Sequence, residues 1–166
     1  MEQFLIKSGS SYVYKIIENN TTIIKKKIYR KKKEKFERET MALNLFNNYN
    51  HFPKIIKTDK KNYTIYMTYC GNNITYQNIP KSWKNQVHKI IQYIEFTDIV
   101  HGDINPANIC VIDDTIFLID FGNIRIKGEP FFQTNNFFTY RIKQHCKLFN
   151  ICEAISKNKN GWDIIK

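Results

Sequence analysis

Residues 99–123, IVHGDINPANICVIDDTIFLIDFGN, decide how this chain folds. Two apolar segments within it, residues 107–112 and 115–120, have the length and composition of short strands. They are joined by Asp113-Asp114, a pair that is typical of a tight turn. The stretch therefore predicts an antiparallel hairpin with polar residues at the ends of its apolar runs.

Three of these polar residues form a candidate site. Asn108 enters the first strand and Asp120 ends the second, so antiparallel pairing brings both to the same end of the hairpin. One carboxylate and one amide oxygen suit Mg²⁺, which completes its shell with phosphate oxygens and water. Asp103 would then be free to accept a proton from a hydroxyl group. Each residue alone is also an ordinary turn former, and the joint spacing is what favours the site.

Composition and length set broad limits on the chain. Its 166 residues suit one domain or two small lobes, and 42% hydrophobic residues are enough for a core. No apolar run is long enough to span a bilayer, and the first residues carry no block of signal-peptide length. We therefore expect a protein of the cytoplasm, or of the nucleus by diffusion, with no membrane partner. The four cysteines form no CxxC pair, which favours buried, reduced thiols over a metal site.

The net charge of +11 is concentrated in KKKIYRKKKEKFER, residues 25–38. Such a segment can contact nucleic acid or an acidic protein. It is equally typical of the solvated side of a strand followed by a helix, because apolar residues at helical spacing continue out of it. Both interpretations stay open at this point.

Hydrophobic periodicity predicts a strand-rich first part and a more helical second part. We predict strands over residues 12–17, 22–29, 54–58 and 63–69, and helices over 31–47, 82–96 and 138–156. The second helix would have Ser82 as its N-cap. In the first helix, Glu39 shares one face with Phe36, Leu43 and Phe46. A carboxylate on an apolar face is costly without a cationic partner, so Glu39 predicts one.

HGDINPAN followed by IDFG resembles the catalytic and metal loops of the protein-kinase superfamily. The family pattern is His-x-Asp, four residues, Asn, a short hairpin and Asp-Phe-Gly. The resemblance implies an α+β, bilobal kinase-like fold with ATP and Mg²⁺ as cofactors. It also implies that Asp103 is catalytic and that Asn108 and Asp120 hold the metal. The chain would be a single domain with an N-lobe over 1–67, a hinge over 68–71 and a truncated C-lobe over 72–166.

In this family a lysine of the third strand reaches the ATP phosphates and pairs with a glutamate of the next helix. Lys25, Lys26 and Lys27 lie on the corresponding strand, and Glu39 lies on the helix. Lys25 has the separation from Glu39 that is closest to the family spacing, and it follows Thr22-Ile23-Ile24 much as the family lysine follows Val-Ala-Ile. We therefore expect Lys25 to be the catalytic lysine, with Lys27 on the same face as second choice and Lys26 pointing away.

The nucleotide-binding residues also follow from the resemblance. SGSSYVYKI, residues 8–16, resembles the abbreviated phosphate-covering loop of RIO-type and other atypical kinases. Its backbone N–H groups would approach phosphate. MTYCG, residues 67–71, would be the connector that hydrogen-bonds the adenine. The residues expected to contact ATP are Gly9, Ser10, Ser11, Val13, Lys25, Tyr69 and Cys70.

Two departures from the family pattern bear on function. Gly102 replaces the arginine that receives an activation-loop phosphate, so we expect no such switch. Asn105 replaces the lysine that usually lies two residues after the catalytic aspartate. This variant pattern is similar to that of aminoglycoside and choline phosphotransferases and of the kinase of the KEOPS tRNA-modification complex. A trimmed kinase of the kind that large DNA viruses encode fits best.

The leading hypothesis is therefore an ATP–Mg²⁺ phosphotransferase that acts on serine or threonine hydroxyls of a protein. Three alternatives remain from the sequence. One is a phosphotransferase for small molecules, and another is a KEOPS-like ATPase or kinase. The third is a pseudokinase module that binds nucleotide with little catalysis.

Overall fold

The computed structural model describes residues 2–130 and 134–164. Within them the chain forms ten strands and three α-helices, joined by short 3₁₀ turns. The strands are β1 (Glu2–Lys7), β2 (Ser11–Glu18), β3 (Thr21–Ile28), β4 (Ile55–Asp59), β5 (Thr64–Thr68), β6 (Asn72–Asn73), β7 (Ile99–Val100), β8 (Ile109–Ile112), β9 (Thr115–Leu118) and β10 (Arg125–Ile126). The helices are α1 (Lys33–Leu45), α2 (Trp83–Glu95) and α3 (Thr134–Ser156).

The first five strands form one antiparallel sheet in the order β1-β2-β3-β5-β4. Helix α1 follows β3 and contacts β3, β4 and β5, so it covers one face of this sheet. Its buried residues include Phe36 and Leu43, as the spacing predicted. A sheet with one helix followed by a more helical part confirms the α+β class.

Strand β1 was missed from sequence. All six of its side chains are exposed, so the segment EQFLIK lacks the alternation of buried and exposed positions that marks a strand. It adds to the sheet through backbone pairing with β2, with a bulge between Phe4 and Ile6. β1 is therefore an edge strand that hydrophobic periodicity does not predict.

The second part is built around the predicted hairpin. Strands β8 and β9 pair antiparallel, and Asp113 and Asp114 in their turn have φ of 48° and 58°. Both are left-handed conformations that Asp tolerates and that a tight hairpin turn requires. The hairpin prediction is therefore confirmed.

The helix boundaries differ from the prediction in small ways. α1 begins at Lys33 because Arg30–Lys32 form a 3₁₀ turn before it. Ser82 occupies the N-cap position of α2, but its side chain makes no capping hydrogen bond. Its hydroxyl instead accepts a hydrogen bond from the side chain of Gln86 at 2.8 Å. The prediction that Ser82 is the N-cap residue of α2 is therefore confirmed, although its side chain does not cap the helix.

One continuous core joins the two parts. It includes Leu43 of α1, Ile65 of β5, Ile90 of α2 and Phe121 after β9. The ring of Phe121 lies 5.4 Å from that of Phe46, so it links the first helix to the metal loop. Among the described residues, the helices are too short or too polar to cross a bilayer.

Candidate active site

Lys26 of β3 pairs with Glu39 of α1. Its Nζ lies 2.9 Å from Oε1 and 2.7 Å from Oε2 of Glu39, and the Oε1 contact has the geometry of a hydrogen bond. The two side chains are 8% and 2% exposed. The cationic partner that the position of Glu39 predicted is therefore present. It is Lys26, and the expectation that Lys25 makes this contact is wrong.

The direction of the side chains along β3 explains the error. Side chains alternate along a strand, so Lys26 shares its face with Ile28, which lies in the core, and with Ile24, which packs against it. Lys25 points to the opposite side and binds Glu2 at 3.2 Å. Ile23, however, shares the face of Lys25, so the apolar residues of β3 alone do not identify the face that packs against α1. The choice of Lys25 rested on its distance in sequence from Glu39.

Lys26 also reaches Asp120, at 2.8 Å from its Oδ1. Asp120 follows β9 with φ 63° and ψ 73°, and its Oδ1 accepts a further bond from the N–H of Gly122 at 3.4 Å. A single ammonium group therefore joins the sheet, helix α1 and the metal loop.

The charges of this cluster affect one another strongly. Burial raises the pKa of Glu39 to about 7, although the ammonium of Lys26 opposes the shift. Burial also disfavours the charged form of Asp120, but Lys26 outweighs it and lowers the pKa to about 2. For Lys26, burial lowers the pKa and the two carboxylates raise it further than burial lowers it. Lys26 and Asp120 are therefore charged at neutral pH.

Three asparagine side chains hold the carboxylate of Asp103. Its oxygens accept from Nδ2 of Asn105 at 3.1 Å, of Asn108 at 3.4 Å and of Asn123 at 3.2 Å. Asn123 was missed from sequence, because an asparagine after Asp-Phe-Gly is indistinguishable from a turn residue. Only the fold brings the metal loop back to the catalytic loop, so no local signal was available.

His101 fixes the catalytic loop against the metal loop. Its Nε2 donates to the carbonyl of Ile119 at 2.8 Å, and its Nδ1 accepts from the N–H of Asp103 at 3.3 Å. A carbonyl only accepts and an N–H only donates, so the ring is the neutral Nε2–H tautomer. Burial lowers the pKa of His101, in agreement with this form.

Gly102 occupies a position that no side chain fits. Its φ is +79°, and a Cβ atom built there would lie 2.1 Å from the carbonyl oxygen of Asn123. The arginine of the family pattern would therefore clash with the backbone at this position.

The predicted convergence of Asn108 and Asp120 is confirmed. β8 and β9 pair with Ile109 opposite Leu118, and the N–H of Ile119 donates to the carbonyl of Asn108 at 3.0 Å. The Nδ2 of Asn108 donates to the carbonyl of Asp103 at 2.9 Å, which leaves its Oδ1 available to a cation.

This donor set fits Mg²⁺. It offers one amide oxygen and one carboxylate, and the Asp120 side chain is 40% exposed. Among the described residues, no three His, Cys, Asp or Glu side chains are grouped closely enough to hold a metal by themselves. A site with few protein ligands suits an ion that takes most of its shell from phosphate and water.

The predicted phosphate-covering loop, residues 8–11, lies between β1 and β2 and includes the first residue of β2. The N–H groups of Ser10 and Ser11 donate to the hydroxyl of Ser8 at 3.2 and 3.0 Å. A phosphate would have to displace this hydroxyl to reach them. Gly9 is exposed, with no atom within 4 Å of a Cβ built on it. Val13 lies opposite Lys26 in the β2–β3 register and thus faces the same side of the sheet.

Tyr69 and Cys70 directly follow β5, at the predicted hinge. The Tyr69 hydroxyl lies 2.9 Å from Oδ1 of Asn72, and the Nζ of Lys15 lies 4.4 Å from its ring centroid. Cys70 is buried, and burial raises its thiol pKa to about 12. The thiol is therefore unreactive, and contact of these two residues with adenine stays a prediction.

Two comparisons with known proteins bear on this site. A sequence model of the RIO domain family matches residues 7–149. Serine/threonine-protein kinase B of Synechocystis sp. is 25% identical over 122 residues. That similarity covers 65% of this chain and 21% of the relative, so the chain spans about a fifth of the length of the curated relative it matches.

Proposed function

The chain belongs to the RIO domain family, an atypical kinase family, and on that premise we propose that it is a minimal serine/threonine protein kinase. It would transfer the γ-phosphate of ATP, in an ATP–Mg²⁺-dependent reaction, to a protein hydroxyl group. Family membership indicates an atypical kinase or ATP-dependent phosphotransferase, and the protein substrate is the finer part of the proposal.

The observation that carries the proposal is the position of Lys26. Its ammonium group is held by Glu39 and Asp120 at 2.7–2.9 Å. Burial of an ammonium group between two carboxylates has a large desolvation cost. Such arrangements occur mostly at functional sites. Lys26 faces the same side of the sheet as Val13, which supports a role for this ammonium group in binding the phosphates of a nucleotide.

Asp103 supplies the acid–base step. The acceptor hydroxyl oxygen forms a bond to the γ-phosphorus while the bond to the β–γ bridging oxygen breaks, and the hydroxyl proton passes to the Asp103 carboxylate. The bonds from Asn105, Asn108 and Asn123 fix the carboxylate before substrate binds. Such positioning, with charge stabilisation, is most of what phosphoryl transfer requires.

Asn108 and Asp120 would hold Mg²⁺, which when bound neutralises charge on the phosphate oxygens. The Oδ1 of Asp120 accepts a hydrogen bond from Lys26, and its Oδ2 would be the metal ligand. Because the pKa of Asp120 is lowered to about 2, this carboxylate needs no deprotonation before it binds a cation.

The choice of a protein hydroxyl as acceptor is supported by the similarity to serine/threonine-protein kinase B of Synechocystis. Because the similarity is 25% identity over 21% of that protein, the acceptor requires its own test. A reaction with γ-labelled ATP, Mg²⁺, a generic basic protein and tRNA distinguishes the candidate acceptors. Label on serine or threonine supports the proposal, and label released only as phosphate indicates an ATPase.

The decisive variant is Asp103→Asn, with Asp114→Asn as the matched control. Asp114 lies in the hairpin turn at φ 58°, which Asn also adopts, and undergoes the same chemical change away from the site. Asp103→Asn should lower transfer by about 10²–10⁴-fold while ATP–Mg²⁺ binding persists. Transfer by Asp103→Asn at the rate of the control would contradict the proposal.

A further inference from the structure

The sheet face opposite helix α1 carries alternating aromatic and cationic side chains. Because Lys26 faces α1, its neighbours Lys25 and Lys27 face the other side. Cross-strand pairing sets Tyr14 opposite Lys25, and Lys25 opposite Tyr66. The row that crosses all five strands is Phe4, Tyr14, Lys25, Tyr66 and Lys57. We call this surface the outward face.

A second row of the outward face repeats the pattern over β1, β2 and β3, and then continues through Thr64 to Asp59. Lys7 lies opposite Tyr12, which lies opposite Lys27. Lys7 and Lys27 are exposed, and Tyr12 is partly exposed. Directly opposite residues of an antiparallel pair lie about 4.5–5.5 Å apart, so each ring has an ammonium group beside it.

The ammonium groups lie over the rings. The Nζ atoms of Lys25 and Lys57 lie 5.3 and 4.4 Å from the ring centroids of Tyr14 and Tyr66. Ring and charge are thus held within the span of one nucleotide, which presents a flat base and an anionic phosphate. A strand that is basic only because it faces solvent would carry cations without the aromatic rings that alternate with them here.

The same mixture continues past the end of β3. A groove of about 370 Å³ adjoins the second row and is lined by Tyr12, Lys27, Tyr29, Arg30, Lys61 and Tyr63. The rings of Tyr12 and Tyr29 lie 5.1 Å apart at their centroids. The groove extends the outward face along the direction of β2 and β3, which gives a longer track than one row.

We propose that the outward face binds single-stranded nucleic acid. Bases would stack on Tyr12, Tyr14 and Tyr66, and the ammonium groups of Lys25 and Lys57 would move off the ring faces to contact phosphates. Stacking platforms combined with positive charge are how sheets bind single strands without strong sequence preference. An acidic protein would use the cations but not the rings, and a duplex keeps its bases stacked internally.

Three carboxylates of the described strands lie on the outward face and oppose this binding, those of Glu2, Glu18 and Asp59. Glu2 bonds Lys25 at 3.2 Å, but the two side chains are 43% and 25% exposed. An exposed ion pair contributes little to stability, so a phosphate can replace Glu2. The net charge of +11 favours the approach of a polyanion. The binding goes beyond the proposed phosphotransferase activity and does not require it, because Lys26 faces the other side of the sheet.

Fluorescence anisotropy of the full chain with a labelled oligouridine of about 12 nucleotides tests the cations. The double variant Lys25→Gln/Lys57→Gln should bind more weakly, and its slope of log K against log salt should be shallower by about 1.4. The matched control is Lys81→Gln/Lys84→Gln, which also removes two cations, one of them 5.6 Å from the Trp83 ring. An equal effect of the control would overturn the proposal.

The rings are tested separately, with thermal melting to verify that each variant is folded. Tyr14→Leu and, as a second variant, Tyr66→Leu should each weaken oligouridine binding about 5- to 150-fold, as expected for loss of one stacked base. Tyr76→Leu, an exposed tyrosine outside the sheet, should bind like the parent. Parent-like binding by both sheet variants would overturn the proposal. Equal affinity of the parent for a duplex or for polyglutamate would also overturn it.

Discussion

The free energy of unfolding of Glu39→Gln should increase relative to that of the parent protein as the pH rises. The same replacement weakens the active site, because it removes the carboxylate that holds Lys26. The Glu39 side chain is 2% exposed, and burial raises its pKa from 4.5 to about 7. A carboxyl group that binds its proton more tightly in the folded state contributes stability below pH 4.5. That contribution is lost as the pH rises through 7, and glutamine has no such loss.

The size of the effect follows from the two pKa values. For a pKa that shifts from 4.5 to about 7 on folding, ionisation of Glu39 lowers the free energy of unfolding by about 0.8 kcal/mol at pH 5 and about 3.3 kcal/mol at pH 8, relative to the protonated group. The difference in free energy of unfolding between Glu39→Gln and the parent should therefore change by about 2.5 kcal/mol in favour of the variant. Lys26 keeps its bond to Asp120 at 2.8 Å, so the variant does not leave it without a partner.

Urea unfolding of both proteins at the two pH values measures this difference. Groups that titrate identically in both proteins cancel from the comparison. Glu37→Gln is the matched control, because Glu37 is exposed on the same helix and its replacement should stay within about 0.5 kcal/mol at both pH values. A difference for Glu39→Gln that stays constant between pH 5 and pH 8 would refute the claim that burial outweighs the Lys26 ion pair.

Three further variants test the remaining parts of the site. Lys26→Met should weaken ATP–Mg²⁺ binding about 10-fold or more, because hydrogen bonds between charged groups contribute roughly 1.5–3 kcal/mol. Lys25→Met is the control, and its affinity for ATP–Mg²⁺ measured by calorimetry should equal that of the parent. In thermal melting, Mg²⁺ should increase the stabilisation by ATP in the parent but not in Asp120→Asn; a full Mg²⁺ response in the variant would disprove the metal assignment. Gly102→Ala should destabilise more than Gly128→Ala in urea unfolding, since both have positive φ but only Gly102 has a backbone oxygen 2.1 Å from the added carbon; equal losses would contradict the clash.

The sequence by itself determined the parts of the site that lie close together along the chain. The apolar runs of β8 and β9 and the turn at Asp113-Asp114 fixed a hairpin, and antiparallel pairing then placed Asn108 beside Asp120. The position of Glu39 on an apolar helix face likewise required a buried cation. These results were predictable because the periodicity of 2 or 3.6 residues sets which side chains share a face.

Only the tertiary structure decided which residues from distant segments meet. Lys26 was chosen over Lys25 by the face of β3 that packs against α1, and that face depends on contacts that three consecutive lysines do not reveal. Asn123 reaches Asp103 because the metal loop folds back across the catalytic loop. β1 is held by backbone pairing that imposes no burial pattern on its side chains. Short-range patterns record burial and turn geometry, whereas packing between elements also selects the partner, and a one-residue shift in a strand reverses the face on which each side chain lies.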